Sequence, residues 1–144
     1  MKAKVLVTVL VVLGGASFLA FNSFGDTEYY EHVHKVTGEP DKWKGKNLQV
    51  HGYAVPGTIK EQIVDQKMHR TFELEYCGKT LAVRHAGSKP DTFKDQAETV
   101  VKGKLVSQDG QLLLQAVEGE NGIMAKCPSK YEGNRTAPQC DGVN

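Results

Sequence analysis

Cys127 and Tyr131 are the residues whose types and spacing most clearly offer chemistry. They lie four positions apart in the stretch Met124-Ala125-Lys126-Cys127-Pro128-Ser129-Lys130-Tyr131. A cysteine thiolate is a soft nucleophile, and a tyrosine phenolate is a hard oxygen ligand for iron. A protein that presents the two together would hold a haem by its edge and by its metal at once. Lys126 and Lys130 would favour the thiolate and are candidates to pair with the haem propionates.

Pro128 predicts how far apart these two side chains lie. Proline disfavours a helical conformation at the residue before it but suits the first position of a helix. A turn that begins at Pro128 would place Cys127 and Tyr131 ~5 to 6 Å apart, whereas an extended chain would separate them by ~13 Å. The shorter distance suits a porphyrin. For an isolated Cys-x-x-x-Tyr motif, however, a half-buried thiol and a surface aromatic are the commoner outcome.

The other cysteines leave several pairings open. Cys77, Cys127 and Cys140 are an odd number, so at least one is free or paired between molecules. Cys140 is a candidate resolving thiol that forms a disulfide with Cys127. A tail cysteine without a role is favoured over this, because nothing in the sequence determines the distance between the two. Cys77 lies in a predicted turn, where a structural role is favoured. Zinc is not expected, because no Cys-x-x-Cys or His-x-x-x-His pair occurs.

Residues 1–25 predict a membrane anchor. No charged residue occurs from Val5 to Gly25, a length close to the ~20 residues that span a bilayer as a helix. Lys2 and Lys4 precede this run, so the positive-inside rule places the remainder outside the cytoplasmic membrane. A cleaved signal peptide is the alternative, but its apolar core is usually only ~7 to 15 residues long. Both interpretations export the domain.

The rest of the chain predicts a small β-barrel. We interpret residues 26–45 as a linker and domain entry, 46–131 as the barrel with the Cys127 motif at its end, and 132–144 as a flexible tail. Apolar residues alternate with their neighbours around Leu48, Leu74 and Leu81, which indicates half-buried strands. Cys77-Gly78 and Asp109-Gly110 predict two hairpin turns. Short strands without a long amphipathic helix favour a closed barrel over an α/β fold.

The charge balance argues against a nucleic-acid partner. The chain has 18 basic and 17 acidic residues, a net charge of +1, with no long run of either sign. Two function classes remain as alternatives to haem binding. One is a membrane-tethered OB-type module that binds another ligand. The other is a thiol-disulfide protein that uses Cys127 and Cys140, although it lacks the usual Cys-x-x-Cys spacing.

The motif and three further segments resemble the CcmE family, the periplasmic haem chaperones of cytochrome c maturation. The segments are Val55-Pro56-Gly57-Thr58-Ile59, Lys89-Pro90-Asp91-Thr92-Phe93 and Val100-Val101-Lys102-Gly103-Lys104-Leu105. The resemblance extends from the N-terminal apolar segment to Tyr131. It departs from the commoner His-x-x-x-Tyr pattern by having Cys127 in the place of histidine, and therefore resembles the Cys-x-x-x-Tyr variant.

The resemblance implies an all-β, OB-type barrel with one N-terminal transmembrane helix. It implies that Cys127 takes the place of the residue joined covalently to a haem vinyl carbon, and Tyr131 that of the axial iron ligand. Haem is then a transported ligand that passes to apocytochrome c, and the protein is not an enzyme. The implied partners are membrane proteins for haem delivery and haem ligation. His85 stands where the family pattern often has tyrosine, which makes it a weak candidate for a haem contact.

Overall fold

A computed structural model describes residues 2–23, 27–126 and 140 of the 144-residue chain. Its first element is α1, Lys2–Ser23, whose most apolar window has a mean hydropathy of 2.2 and no residue buried against the rest of the chain. The helix is apolar on all sides, which is typical of a segment that lies in lipid rather than on a protein core. The helix fits a single-pass membrane anchor.

Residues 27–126 form eight strands, two short α-helices and one 3₁₀ turn. The strands are β1 Glu28–His32, β2 Asn47–Ala54, β3 Lys60–Val64, β4 Lys67–Tyr76, β5 Lys79–Ala86, β6 Glu98–Gln108, β7 Gln111–Ala116 and β8 Ile123–Ala125. The helices are α2 Val33–Gly38 and α3 Pro40–Trp43, and the 3₁₀ turn is Glu120–Gly122.

Five of the strands close into a ring. β2 pairs with both β4 and β6, β4 pairs with β5, and β6 pairs with β7, all antiparallel. β5 and β7 complete the ring as a parallel pair. This order, with the third and fifth strands of the ring parallel, is that of an OB-type barrel. β3 extends β4 as a hairpin, β8 adds to β6, and β1 adds to β2 in parallel.

The two predicted hairpin turns are confirmed. Tyr76 pairs with Lys79 around Cys77-Gly78, and Gln108 pairs with Gln111 around Asp109-Gly110. All four turn residues have positive φ, from 52° to 79°, which two-residue turns between twisted strands require. The alternating pattern is confirmed as well, since inward-facing aliphatic side chains of the ring form the core. These include Leu48, Val50, Leu74, Leu81, Val83, Val101, Leu105 and Leu114.

The described part of residues 26–45, the predicted linker and domain entry, belongs to the folded domain. Within this stretch β1, α2 and α3 pack on the barrel, and Val33, Val36 and Trp43 are buried members of the core. Gly52 of β2 makes room for α2, since a Cβ there would lie 2.9 Å from Val33 Cγ2. These elements are too short to show a clear periodicity in the sequence, and their burial depends on a surface that distant strands provide.

Candidate functional site

β8 is the last described strand before the Cys127 motif. Cys127, Lys130 and Tyr131 lie outside the described residues, and Lys126 is the last described residue before them. The Lys126 backbone N–H donates to the Glu98 carbonyl oxygen at 2.9 Å. Its ammonium group donates to the Glu98 carboxylate. Lys126 is therefore attached to the start of β6 by both its backbone and its side chain.

Glu98 connects Lys126 to a histidine. Its Oε1 lies 2.9 Å from Nε2 of His51, and the side chains of His51 and Glu98 are only 8% and 11% exposed. Burial by itself raises the pKa of Glu98, but hydrogen bonds from Lys126 and His51 outweigh burial and lower the pKa. The hydrogen bond to Glu98 raises the pKa of Lys126 in turn. A chain of hydrogen bonds thus runs from the residue before Cys127 through Glu98 to His51.

His51 belongs to a cluster of imidazole and phenol rings beside this ion pair, which we call the His/Tyr face. His32 is central to the cluster, because its ring centroid lies 4.4 Å from that of Tyr76 and 5.0 Å from that of His51. His34 is nearly parallel to Tyr76 at 5.4 Å. Every member lies within 6.3 Å of another, and the members are Tyr30, His32, His34, His51, Tyr53 and Tyr76.

Strand pairing explains how these rings meet. The parallel register of β1 and β2 sets His32 opposite His51. Tyr53 is two residues further along β2 and therefore shares the face of His51. Tyr76 ends β4, which pairs with β2 at Tyr53 and Ala54. Sequence reasoning did not find this face. The available signal was the density of tyrosine and histidine in residues 29–34.

The hydrogen bonds of the face are incomplete within the described part of the chain. Nδ1 of His34 and Nδ1 of His51 are both buried without a hydrogen-bond partner there. Buried polar atoms usually have a partner, so such atoms mark a place where another group completes the bonding. Desolvation, together with the neighbouring His51 and His34, lowers the pKa of His32. His32 is therefore a neutral imidazole at neutral pH, the form that binds metals.

A disulfide attaches Cys140 to the same region. Cys77, directly after Tyr76, is bonded to Cys140, 63 positions along the chain, with their Cα atoms 4.8 Å apart. This bond differs both from the candidate pairing of Cys140 with Cys127 and from the favoured interpretation of Cys140 as a tail cysteine without a role. The two described residues that flank the motif-bearing segment in sequence, Lys126 and Cys140, are thus attached to the barrel near the His/Tyr face. The third cysteine of the sequence, Cys127, takes no part in this disulfide.

His85, the weak candidate for a haem contact, lies elsewhere. Its ring is fully buried, with Nδ1 2.7 Å from Arg70 Nη1 and Nε2 2.8 Å from the Gly119 carbonyl oxygen. Arg70 can only donate, so Nδ1 accepts and Nε2–H donates to Gly119. Burial lowers the pKa of His85 and keeps the ring neutral. With both nitrogens occupied, His85 has a structural role and no path to a surface ligand in this conformation.

The fold and the His/Tyr face are those of a small OB-type barrel that follows one apolar helix and presents a surface lined by rings. The family model for the CcmE domain matches residues 27–134. The chain therefore belongs to the CcmE family. It is 27% identical to the "Cytochrome c-type biogenesis protein CcmE" of Pseudoalteromonas translucida (strain TAC 125), over 99% of this chain and 89% of the relative.

Comparison with solved structures concerns the fold alone. The chain is similar to a protein in the crystal structure of yeast Stn1 and Ten1, with a TM-score of 0.51, 7% identity, and 71% of this chain and 64% of that chain covered. A second likeness is to an OB domain from Thermoplasma acidophilum, with a TM-score of 0.48, 14% identity, and coverage of 73% and 95%.

Proposed function

We propose that this protein is a haem chaperone that binds haem covalently outside the cytoplasmic membrane and passes it to apocytochrome c. The observation that carries the proposal is the attachment of Lys126, the residue before Cys127, to the His/Tyr face through Glu98 and His51. A flat aromatic ligand held at Cys127 would have a surface of rings within reach. Membership of a family with a relative named for cytochrome c-type biogenesis supports the same function.

Cys127 and Tyr131 divide the binding of haem between them. The Cys127 thiol adds across a haem vinyl group, so that sulfur bonds to one vinyl carbon and the proton goes to the other. Tyr131 supplies a phenolate to the iron on an axial position. Lys126 and Lys130 contact the propionates. The ammonium of Lys126 is already bound to Glu98 and would have to release that carboxylate to contact a propionate.

The disulfide supports this choice of cysteine. Cys77 and Cys140 form a disulfide with each other. Cys127, the third cysteine of the sequence, is therefore the thiol available for haem attachment in an oxidising compartment. Release reverses the addition: the carbon–sulfur bond breaks, the proton returns to sulfur and the vinyl group is restored. An ordinary thioether resists this step, so a partner must promote it. An exposed face suits such a partner better than a deep pocket, which would bury most of the ligand.

The N-terminal helix supplies the location. Lys2 and Lys4 precede the apolar run, so α1 crosses the cytoplasmic membrane once with the barrel on the periplasmic side. There the barrel meets the membrane proteins that deliver haem and ligate it to apocytochrome c. Haem is cargo in this scheme, and the protein is not an enzyme.

Haem staining of denaturing gels tests the covalent bond, because only covalently attached haem survives denaturation. The full chain is expressed with the maturation machinery as wild type, Cys127→Ala, and a Cys77→Ser/Cys140→Ser double variant as control. We expect staining of wild type and control and complete loss in Cys127→Ala, while the circular dichroism of the barrel stays unchanged. Equal staining of Cys127→Ala and wild type would refute the assignment.

Tyr131→Phe separates attachment from iron binding in the same experiment. The substitution removes only the phenol oxygen, so covalent haem should remain while the ferric spectrum changes and the reduction potential rises. Transfer to apocytochrome c should decrease, because the haem is attached but no longer oriented. An unchanged spectrum and potential with haem still attached would mean that Tyr131 is not the ligand.

A further inference from the structure

His32 differs from the other rings of the His/Tyr face in the state of its nitrogens. Its ring is half-buried, and neither nitrogen has a hydrogen-bond partner among the residues that the structure describes. Neither nitrogen is among the described side-chain atoms that are buried without a partner, so both are accessible at the surface. His32 therefore has an unused nitrogen at a surface lined by aromatic rings.

The neighbouring histidines are less suited to bind a ligand. His51 is 6% exposed, its Nε2 is bonded to Glu98, and its Nδ1 is buried. His34 has a buried Nδ1 and one ring face against Tyr76. In the described residues, moreover, no three His, Cys, Asp or Glu side chains converge as they would around a bare metal ion. The arrangement thus offers a single imidazole. A metal in a macrocycle already has its equatorial ligands and needs only an axial one from the protein.

The position of His32 is well defined by its neighbours in the fold. β1 pairs with β2 up to His32 itself, opposite His51, and the next residue, Val33, is completely buried in the core. A side chain between a paired strand and a buried anchor has little freedom, which lowers the cost of ordering it around a ligand. The ring centroids of Tyr76 and Tyr30 lie 4.4 and 6.0 Å from that of the imidazole, and the two rings provide aromatic surface beside it.

We propose that the imidazole of His32 is an axial ligand of the carried haem iron, on the side of the porphyrin that faces the barrel. This inference rests on the proposed function, since it concerns the same haem. A nitrogen of His32 donates its lone pair to the iron, and no bond breaks and no electron is transferred. Together with the phenolate that the proposed function assigns to Tyr131, this imidazole would make the iron six-coordinate, closed to other ligands until a partner displaces one of the two.

The test measures the iron ligands of the full chain, expressed with the maturation machinery, labelled isotopically on histidine nitrogen and purified in detergent. His32→Ala is compared with wild type and with His34→Ala, a control two residues away in the same cluster. In wild type and His34→Ala we expect six-coordinate ferric haem by resonance Raman and a histidine nitrogen coupling by pulsed electron paramagnetic resonance. His32→Ala should lose the coupling and become five-coordinate, and added imidazole should restore six-coordination.

Two results would overturn the inference: a histidine coupling that persists in His32→Ala, or its absence from wild type. If His32→Ala does not fold, His32→Gln replaces it. Failure of the proposed function has a different signature, which is wild type without covalent haem on the denaturing gel. In that case ferric haemin is added to the haem-free chain, and a coupling that depends on His32 decides the ligand independently of the covalent bond.

Discussion

The barrel interior around His85 and the His/Tyr face both contain histidines on or beside strands, but they differ in how their polar atoms are satisfied. His85 is fully buried, and each of its ring nitrogens has a hydrogen-bond partner at a distance below 3 Å. On the His/Tyr face, two ring nitrogens are buried without a described partner, and His32 has neither nitrogen bonded among the described residues. An unsatisfied buried polar group lowers the stability of a protein by about 1–3 kcal/mol. A position that keeps such a group therefore indicates a function other than stability. The first region holds the barrel together, and the second is suited to binding.

Substitution of His85 should give the largest effect on stability. His85→Ala leaves a cavity and removes the acceptor of Arg70, which is 3% exposed and also bonded to Glu61 and to the Gly87 carbonyl oxygen. We expect the free energy of unfolding to fall by about 3–5 kcal/mol, the usual result of combining a core cavity with an unpaired polar partner. Chemical denaturation followed by circular dichroism measures the change.

The matched variant of the other region is His32→Ala, for which the expected loss is below about 1 kcal/mol because the side chain is half-buried and lacks a described hydrogen bond. His69→Ala, a half-buried histidine on β4, controls for removal of a histidine from a strand. Equal losses of unfolding free energy in His85→Ala and His32→Ala would contradict the proposed difference, since both regions would then be structural.

Removal of the disulfide should have the next largest effect. The bond joins residues 63 positions apart, and closing a loop of this length restricts the unfolded chain by up to about 4 kcal/mol. The Cys77→Ser/Cys140→Ser double variant should therefore unfold at lower denaturant concentration than wild type, by less than this limit, because position 140 also gains freedom in the folded state. Treatment of wild type with a reductant should reproduce the shift. An unchanged midpoint would show that the tail adds no constraint.

The pH dependence of stability should show the smallest effect. Burial lowers the pKa of His85 below its ordinary 6.5, so the folded state resists protonation and the unfolded state does not. The associated stability is complete above pH 6.5 and declines as the pH falls below it, by about 1.4 kcal/mol per unit of pKa difference. The lowered pKa of Glu98 adds a loss at more acid pH, below its ordinary 4.5.

Unfolding free energies measured between pH 7.5 and 5 should decline more steeply for wild type than for His85→Ala. His32→Ala should reduce the slope less, because its more exposed ring is better solvated when charged. A wild-type slope that His85→Ala leaves unchanged would place the titrating group elsewhere.

The features that could be predicted from the sequence are local ones. Each of them depends on a few consecutive residues, so periodicity and turn chemistry predict it without knowledge of the fold. They are the apolar run of α1, the alternation around Leu48 and Leu74, and the turns at Cys77-Gly78 and Asp109-Gly110. The same is true of the Cys127 motif and of the family to which the chain belongs.

Which residues gather beside Lys126, the last described residue before that motif, depends on the tertiary structure. The parallel pairing of β1 with β2, the burial of Val33 beside Gly52, and the bond between Cys77 and Cys140 join residues that are distant in the sequence. His85 and His32 both looked like isolated histidines, and their different roles follow from the partners that the closed barrel brings to each. A pattern along the chain predicts on which face of a strand a side chain lies. The hydrogen bonds of that side chain depend on other strands, which pair only once the barrel has closed.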